Sequence, residues 1–186
     1  KPDNIDLLHQ AIILSLKLKR DKEAARLLNQ SCKLNPSHPE NTLLNALYHQ
    51  SIGKISHAIE ILTNQLNNSP RNNKAQLLLA NLLHDQGEYE KAINFYHPLI
   101  KAMPEATDIH YQCALAHSQN KNYSSAKEQF TQIIKKHPTH HHSLNLLGQI
   151  ALHREEYRDA CDHFSKALYI KPNQPEIWHS LAQAEF

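Results

Sequence analysis

The sequence predicts an all-α array of helix pairs, on the strength of two ladders and one deficit. Pro36, Pro70, Pro104, Pro138 and Pro172 stand 34 residues apart, and Ala24, Ala58, Ala92, Ala126 and Ala160 keep the same interval. Two five-member ladders with one period and no insertion mark an internal repeat. The deficit is glycine: 3 Gly in 186 residues is too few for the tight hairpins of an all-β chain.

Starting each unit 31 residues before its Pro gives repeats at 5–38, 39–72, 73–106, 107–140 and 141–174. Residues 175–186 then form the first helix of a sixth repeat, within a single array over 1–186. The helix pair is clearest in the third repeat. Residues 73–86 carry apolar side chains at helical spacing, Gly87 breaks the run, and the period resumes from Glu88 to Ala102 before Pro104 closes it. Two helices per repeat plus the last make eleven. Pro98 sits inside the second helix of the third repeat and predicts a kink or an early end near Asn94 to Pro98.

The repeat positions have packing reasons. The eighth reads Ile12, Ala46, Ala80, Ala114, Gly148 and Ala182; the seventeenth reads Asp21, Ile55, Tyr89, Tyr123 and Tyr157. The twenty-fourth reads Leu28, Leu62, Tyr96, Phe130 and Phe164. Small residues at positions 8 and 20 let two helices approach, and the large residue at 24 fills the space beside them. Pro at position 32 cannot continue a helix and restricts the residue before it, so it ends each second helix. No helix of this length buries its apolar stripe alone, so each pair must stack on the next.

Composition narrows the function. The 20 basic residues are balanced by 18 acidic ones, which speaks against nucleic acid. The basic cluster Lys17, Lys19, Arg20 and Lys22 is diluted by Asp21 and Glu23 and reads as a solvated helix end. No apolar run has the length of a membrane span, and no signal peptide opens the chain. Cys32, Cys113 and Cys161 are scattered and form no disulfide framework, so a reducing compartment, the cytoplasm, is expected. Phosphate-cradling glycine loops, GxSxG and HExxH are absent, and no catalytic residue, cofactor or metal-ligand set is expected. Cys113 and Cys161 read as buried spacers. The chain opens at Lys1 and stops within a repeat, as an excised piece of a longer protein would.

The stretches GEYEKAINFYHPLIKAMP (87–104), KNYSSAKEQFTQIIKKHP (121–138) and EEYRDACDHFSKALYIKP (155–172) closely resemble the second half of the tetratricopeptide repeat (TPR). The first half shows best as LNLLG (144–148) and as Trp178, Leu181 and Ala182. Repeat 1 diverges most, with Ile12, Asp21 and Ser31 where small, aromatic and small residues are usual. The resemblance implies a right-handed α-α superhelix, a TPR solenoid, whose concave face is lined by first helices and binds a peptide or helix of another protein. It implies a protein-binding scaffold. The alternatives are a non-catalytic recruiting or regulatory arm of a larger enzyme, such as a glycosyl- or sulfotransferase, or an assembly scaffold that self-associates through its ends. Lacking a second helix after Trp178, Leu181 and Ala182, the last repeat leaves an apolar face open, so capping by more repeats, another domain or a homo-oligomer partner is expected.

In the family, positions 2, 5, 9 and 12 of the first helix tend to face the groove. Positions 5 and 9 are here His9 and Ile13, Leu43 and Leu47, Leu77 and Asn81, Tyr111 and Leu115, Asn145 and Gln149, and His179 and Gln183. The implied groove is apolar in its middle and amide-rich toward its C-terminal end. Its partner is a protein segment with apolar side chains, with no nucleic acid and no membrane insertion. A carboxylate-clamp set is missing, because Leu77 stands where Lys is needed, followed by Asn81, Gln112, His142 and Leu146. The stretch His137, His140, His141 and His142 is the strongest hint of metal, but as a turn with no adjacent Cys or carboxylate it reads as solvated. Fifteen histidines raise the net charge steeply below about pH 6.5, which predicts acid-sensitive binding.

Overall fold

The computed structural model describes residues 4–185; Lys1, Pro2, Asp3 and Phe186, which the expected array included, lie outside the described residues. Among the described residues there are eleven helices and no strand. They are α1 (Ile5–Lys17), α2 (Asp21–Leu34), α3 (Pro39–Ser51), α4 (Ile55–Asn68), α5 (Asn73–Asp85) and α6 (Tyr89–Ala102). The remainder are α7 (Thr107–Gln119), α8 (Tyr123–Lys136), α9 (His141–His153), α10 (Tyr157–Ile170) and α11 (Pro175–Glu185). The chain divides into two compact units, one up to Gln86 with α1–α5 and one from Gly87 with α6–α11.

The proline ladder works through the residue before it. Asn35, Ser69, Met103, His137 and Lys171 close the even-numbered helices α2 to α10 with φ of −148°, −140°, −136°, −129° and −138°. Each precedes a ladder proline, whose ring disfavours helical geometry at that position. Several odd-numbered helices start on a side-chain cap. Asn4 Oδ1 accepts from the Asp6 N–H at 3.0 Å, and Asn72 Oδ1 from the Ala75 N–H at 3.2 Å.

The turn within each pair carries a feature that the sequence pattern hid. Lys19, Gly53, Gly87, Lys121 and Glu155, again 34 apart, have φ of 55°, 78°, 78°, 60° and 60°. This left-handed residue lets the next backbone N–H reach back over the helix end: Arg20 to Ser15 and Asn122 to His117 at 2.8 Å, Glu156 to Ala151 at 2.9 Å. A side chain in that conformation costs about 1–2 kcal/mol, and glycine returns about 0.5–1 kcal/mol of that in chain entropy. Glu155→Gly should therefore raise stability by about 0.5–1 kcal/mol in urea unfolding. A lowered urea midpoint would contradict this account of the turn.

In the first unit Ile12, Leu28 and Leu44 form the core around which α1, α2 and α3 pack. In the second unit Phe130 anchors one cluster with Ala114, Ala126 and Leu147, and Phe164 a second with Ala160, Ala167 and Ile177. All five ladder alanines are fully buried. Close helix approach explains them, since any larger side chain there would separate the pair.

Helix α6 corrects one expectation. It does not end early near Pro98; it runs unbroken through it to Ala102. Tyr96 and Leu99, both fully buried, anchor the helix on either side of the proline, and the Met103 N–H closes the end onto the Leu99 carbonyl at 2.8 Å. Burial of two large side chains outweighs the single backbone bond that proline removes.

Candidate functional site

The odd-numbered helices of the first unit form a continuous apolar strip. Leu43 and Leu44 of α3 floor a cleft of about 270 Å³, with Ile13 of α1, Leu47 of α3, and Leu77, Leu78 and Asn81 of α5 as its walls. Glu40 and Lys74 close one edge, with an ion pair at 3.4 Å. A second cleft of about 320 Å³ shares Ile13 and Leu47 and extends past Leu16, Lys17, Gln50 and Ser51. The helical repeat produces this alignment: positions 2, 5, 9 and 12 fall on one face of each odd-numbered helix. Positions 5 and 9 supply Leu43, Leu47, Leu77 and Asn81. Glu40 and Lys74 stand at position 2, and Leu16 and Gln50 at position 12. Leu44 and Leu78, at position 6, were missed; a leucine next to a groove position was the available signal.

One expected groove residue is turned inward. His9 is 6% exposed and lies in a buried polar cluster. The Asn41 Nδ2 donates to the Asn35 carbonyl at 2.8 Å, which aims its Oδ1 at His9 and Ser31. The Ser31 hydroxyl donates to that oxygen at 2.6 Å and the His9 Nε2–H donates to it at 2.8 Å. Because an amide oxygen only accepts, this fixes the proton on Nε2. His9 therefore holds α1 to α2 and α3 and does not line the strip.

The other expected residues lie in the second unit. Tyr111 and Leu115 are on α7, Asn145 and Gln149 on α9, and His179 on α11. Tyr111 leans on Phe130 and on His140, with ring centroids 5.8 and 5.3 Å away, and burial raises its phenol pKa. Gln149 Nε2 approaches Asn145 Oδ1 at 3.5 Å, and Gln183 pairs with His179 at 3.1 Å.

The histidine stretch does structural work. His140 Nδ1 accepts from the Ser143 N–H at the start of α9, and His137 pairs with the Thr107 hydroxyl at 2.9 Å. Burial holds His49, His117, His140, His141 and His163 below the ordinary imidazole pKa. The fold thus prefers them neutral, while the unfolded chain takes up protons near pH 6.5. Stability is complete above that pH and is lost as pH falls through it toward the lowered folded values. We expect the melting temperature to drop between about pH 7.5 and 5.5; a flat profile would contradict it. Cys113, buried between helices, has its thiol pKa pushed up to about 12 by desolvation, which favours the protonated thiol. No helix of the described residues is long and apolar enough to cross a membrane.

A family model described as "Surface lipoprotein assembly modifier, N-terminal TPR repeats" matches residues 35–130, and a second, "Tetratricopeptide repeat", matches residues 111–175. The chain belongs to the tetratricopeptide repeat family. Among solved structures of TPR proteins, MamA 41-end from Desulfovibrio magneticus RS-1 is similar with a TM-score of 0.80 at 18% identity, over 91% of this chain and 96% of that one. YrrB, described as a TPR protein with an unusual peptide-binding site, has a TM-score of 0.79 at 14% identity, over 96% of this chain and 92% of that one. These likenesses show the TPR fold, an all-α solenoid of helix pairs, and the fold supports a protein-interaction role. The BBSome complex member BBS4 of Bos taurus is 24% identical over 92% of this chain. The TPR chain spans 33% of the length of that relative.

Proposed function

We propose that this chain is a non-catalytic scaffold that docks an apolar segment of a partner protein along the first-unit strip. The observation that carries this reading is the paired clefts on α1, α3 and α5, lined by Ile13, Leu16, Leu43, Leu47, Leu77 and Leu78. A partner helix or extended peptide would place two or three aliphatic side chains there, and Lys74 and Glu40 would set its direction through charged groups at the rim. YrrB, with its peptide-binding site, is a precedent on the same fold. Within the second unit, Asn145, Gln149 and His179 are proposed as polar contacts for a protein segment. Tyr111 and Leu115 are proposed as further apolar ones.

A second reading makes the chain the recruiting arm of a larger protein. It is favoured by the match to the N-terminal repeats of an assembly modifier and by the third of BBS4 that the chain spans. Both readings use the same strip. Selection of a displayed peptide library on the purified chain, with Leu47→Asp, Leu77→Asp as control, tests them. Enrichment of an aliphatic motif whose affinity falls at least about tenfold in the control supports docking in the strip, since a charge buried in an apolar cleft costs well over 1.4 kcal/mol. Enrichment that the control keeps would overturn it.

A further inference from the structure

Among the described residues, one place brings three soft or borderline donors together outside the strip. His97 of α6 and Cys113 and His117 of α7 each offer a ligand atom, and these atoms all lie within 4.8 Å of one another. Cys113 and His117 are four residues apart and so share a face of α7, the face packed against α6. The two imidazole rings have centroids 5.8 Å apart. His117 is 8% exposed, and its Nδ1 is buried with no hydrogen-bond partner. An orphaned buried nitrogen costs about 1–3 kcal/mol, a cost that a bound ion at this ring would offset.

We propose that His97, Cys113 and His117 form a three-ligand site for zinc or a comparable thiophilic divalent ion. Two imidazoles and a thiolate match the ligand preferences of zinc, whereas magnesium and calcium require oxygen. In a tetrahedral zinc site such donors lie roughly 3.3–3.6 Å apart, given metal–nitrogen and metal–sulfur bonds of about 2.0 and 2.3 Å. Closing from at most 4.8 Å needs a shift of up to about 1.2–1.5 Å, within reach of a rotamer change of His97, which is exposed at the rim. On binding, the Cys113 thiol gives its proton to solvent and the thiolate bonds the ion. The exposed His97 side leaves a fourth position for water or for a side chain of a partner. The ion would pin α6 to α7 across the turn at 103–106, where the third repeat meets the fourth.

Cobalt(II) provides the test, because a thiolate on cobalt gives a charge-transfer band in the near ultraviolet and tetrahedral geometry gives intense visible bands. One equivalent of cobalt should produce both, and zinc should displace it and raise the melting temperature. Cys113→Ser should abolish the thiolate band. His97→Ala, at an exposed position that leaves the fold intact, should weaken zinc binding more than about tenfold, the least that loss of a direct ligand costs. Cys32→Ser, Cys161→Ser and His141→Ala, His142→Ala should leave the band and the affinity unchanged. The proposal is overturned if stoichiometric cobalt gives no thiolate band, if His97→Ala binds zinc as tightly as the parent chain, or if the band disappears with Cys32 or Cys161.

Discussion

Replacing Phe164 with alanine should destabilise the second unit by about 3–5 kcal/mol, the largest loss expected from any single side chain here. The ring is fully buried at the centre of the cluster that joins α9, α10 and α11. It also fills the space opened by Gly148. A Cβ built on Gly148 would sit 2.6 Å from Phe164 Cε1 and 2.7 Å from Cδ1, closer than any real contact. Gly148→Ala should therefore destabilise too: overpacking costs about 1–3 kcal/mol, against about 0.5–1 kcal/mol gained in helix propensity. The sign should reverse in the Phe164→Ala background, where the clash is gone and the propensity gain remains, so a double-mutant cycle exposes the coupling. Hydrogen exchange should place the loss in α9 to α11, because a repeat leans only on its neighbours. A Phe164→Ala loss below about 1 kcal/mol, or additive single and double effects, would rule out this packing.

Asn41→Ala should cost about 1–3 kcal/mol although it removes no apolar contact. Its Oδ1 is the shared acceptor for His9 and Ser31, and its Nδ2 satisfies the Asn35 carbonyl. Truncation takes the shared acceptor from a buried imidazole N–H and a buried hydroxyl, while the Asn35 carbonyl keeps the His38 N–H at 3.2 Å. Replacing the whole cluster at once, as His9→Leu, Ser31→Ala, Asn41→Leu, should recover most of the loss, because no donor or acceptor is then stranded. Chemical denaturation of the single and triple variants decides it; a triple variant weaker than Asn41→Ala would show that shape, not polarity, holds these helices.

The parts of the fold legible in the sequence are those that repeat. Each ladder proline has a non-helical neighbour before it, each ladder alanine is buried, and the large residues at position 24 lie buried beside small ones. The left-handed turn residue also repeats, but as Lys19, Lys121 and Glu155 it carries no chemical mark, so only Gly53 and Gly87 hint at it. His9 was misplaced for a related reason. Family position 5 describes a backbone direction, and its side chain turned inward because Ser31 and Asn41, distant in sequence, offered it polar partners. Pro98 does not end α6 early, because the burial of Tyr96 and Leu99 outweighs the local chemistry. The convergence of His97 with Cys113 and His117 depends on how α6 meets α7, which no spacing along the chain reveals. The i, i+4 pair within α7 was the legible half.

The central claim, that the first-unit strip is the docking face, is tested most directly by methyl-labelled NMR with an enriched peptide. Docking predicts shifts concentrated on Ile13, Leu43, Leu47, Leu77 and Leu78, all lining the cleft. Shifts confined to the even-numbered helices, or to α11 around Trp178, would contradict it and move the interface off the strip.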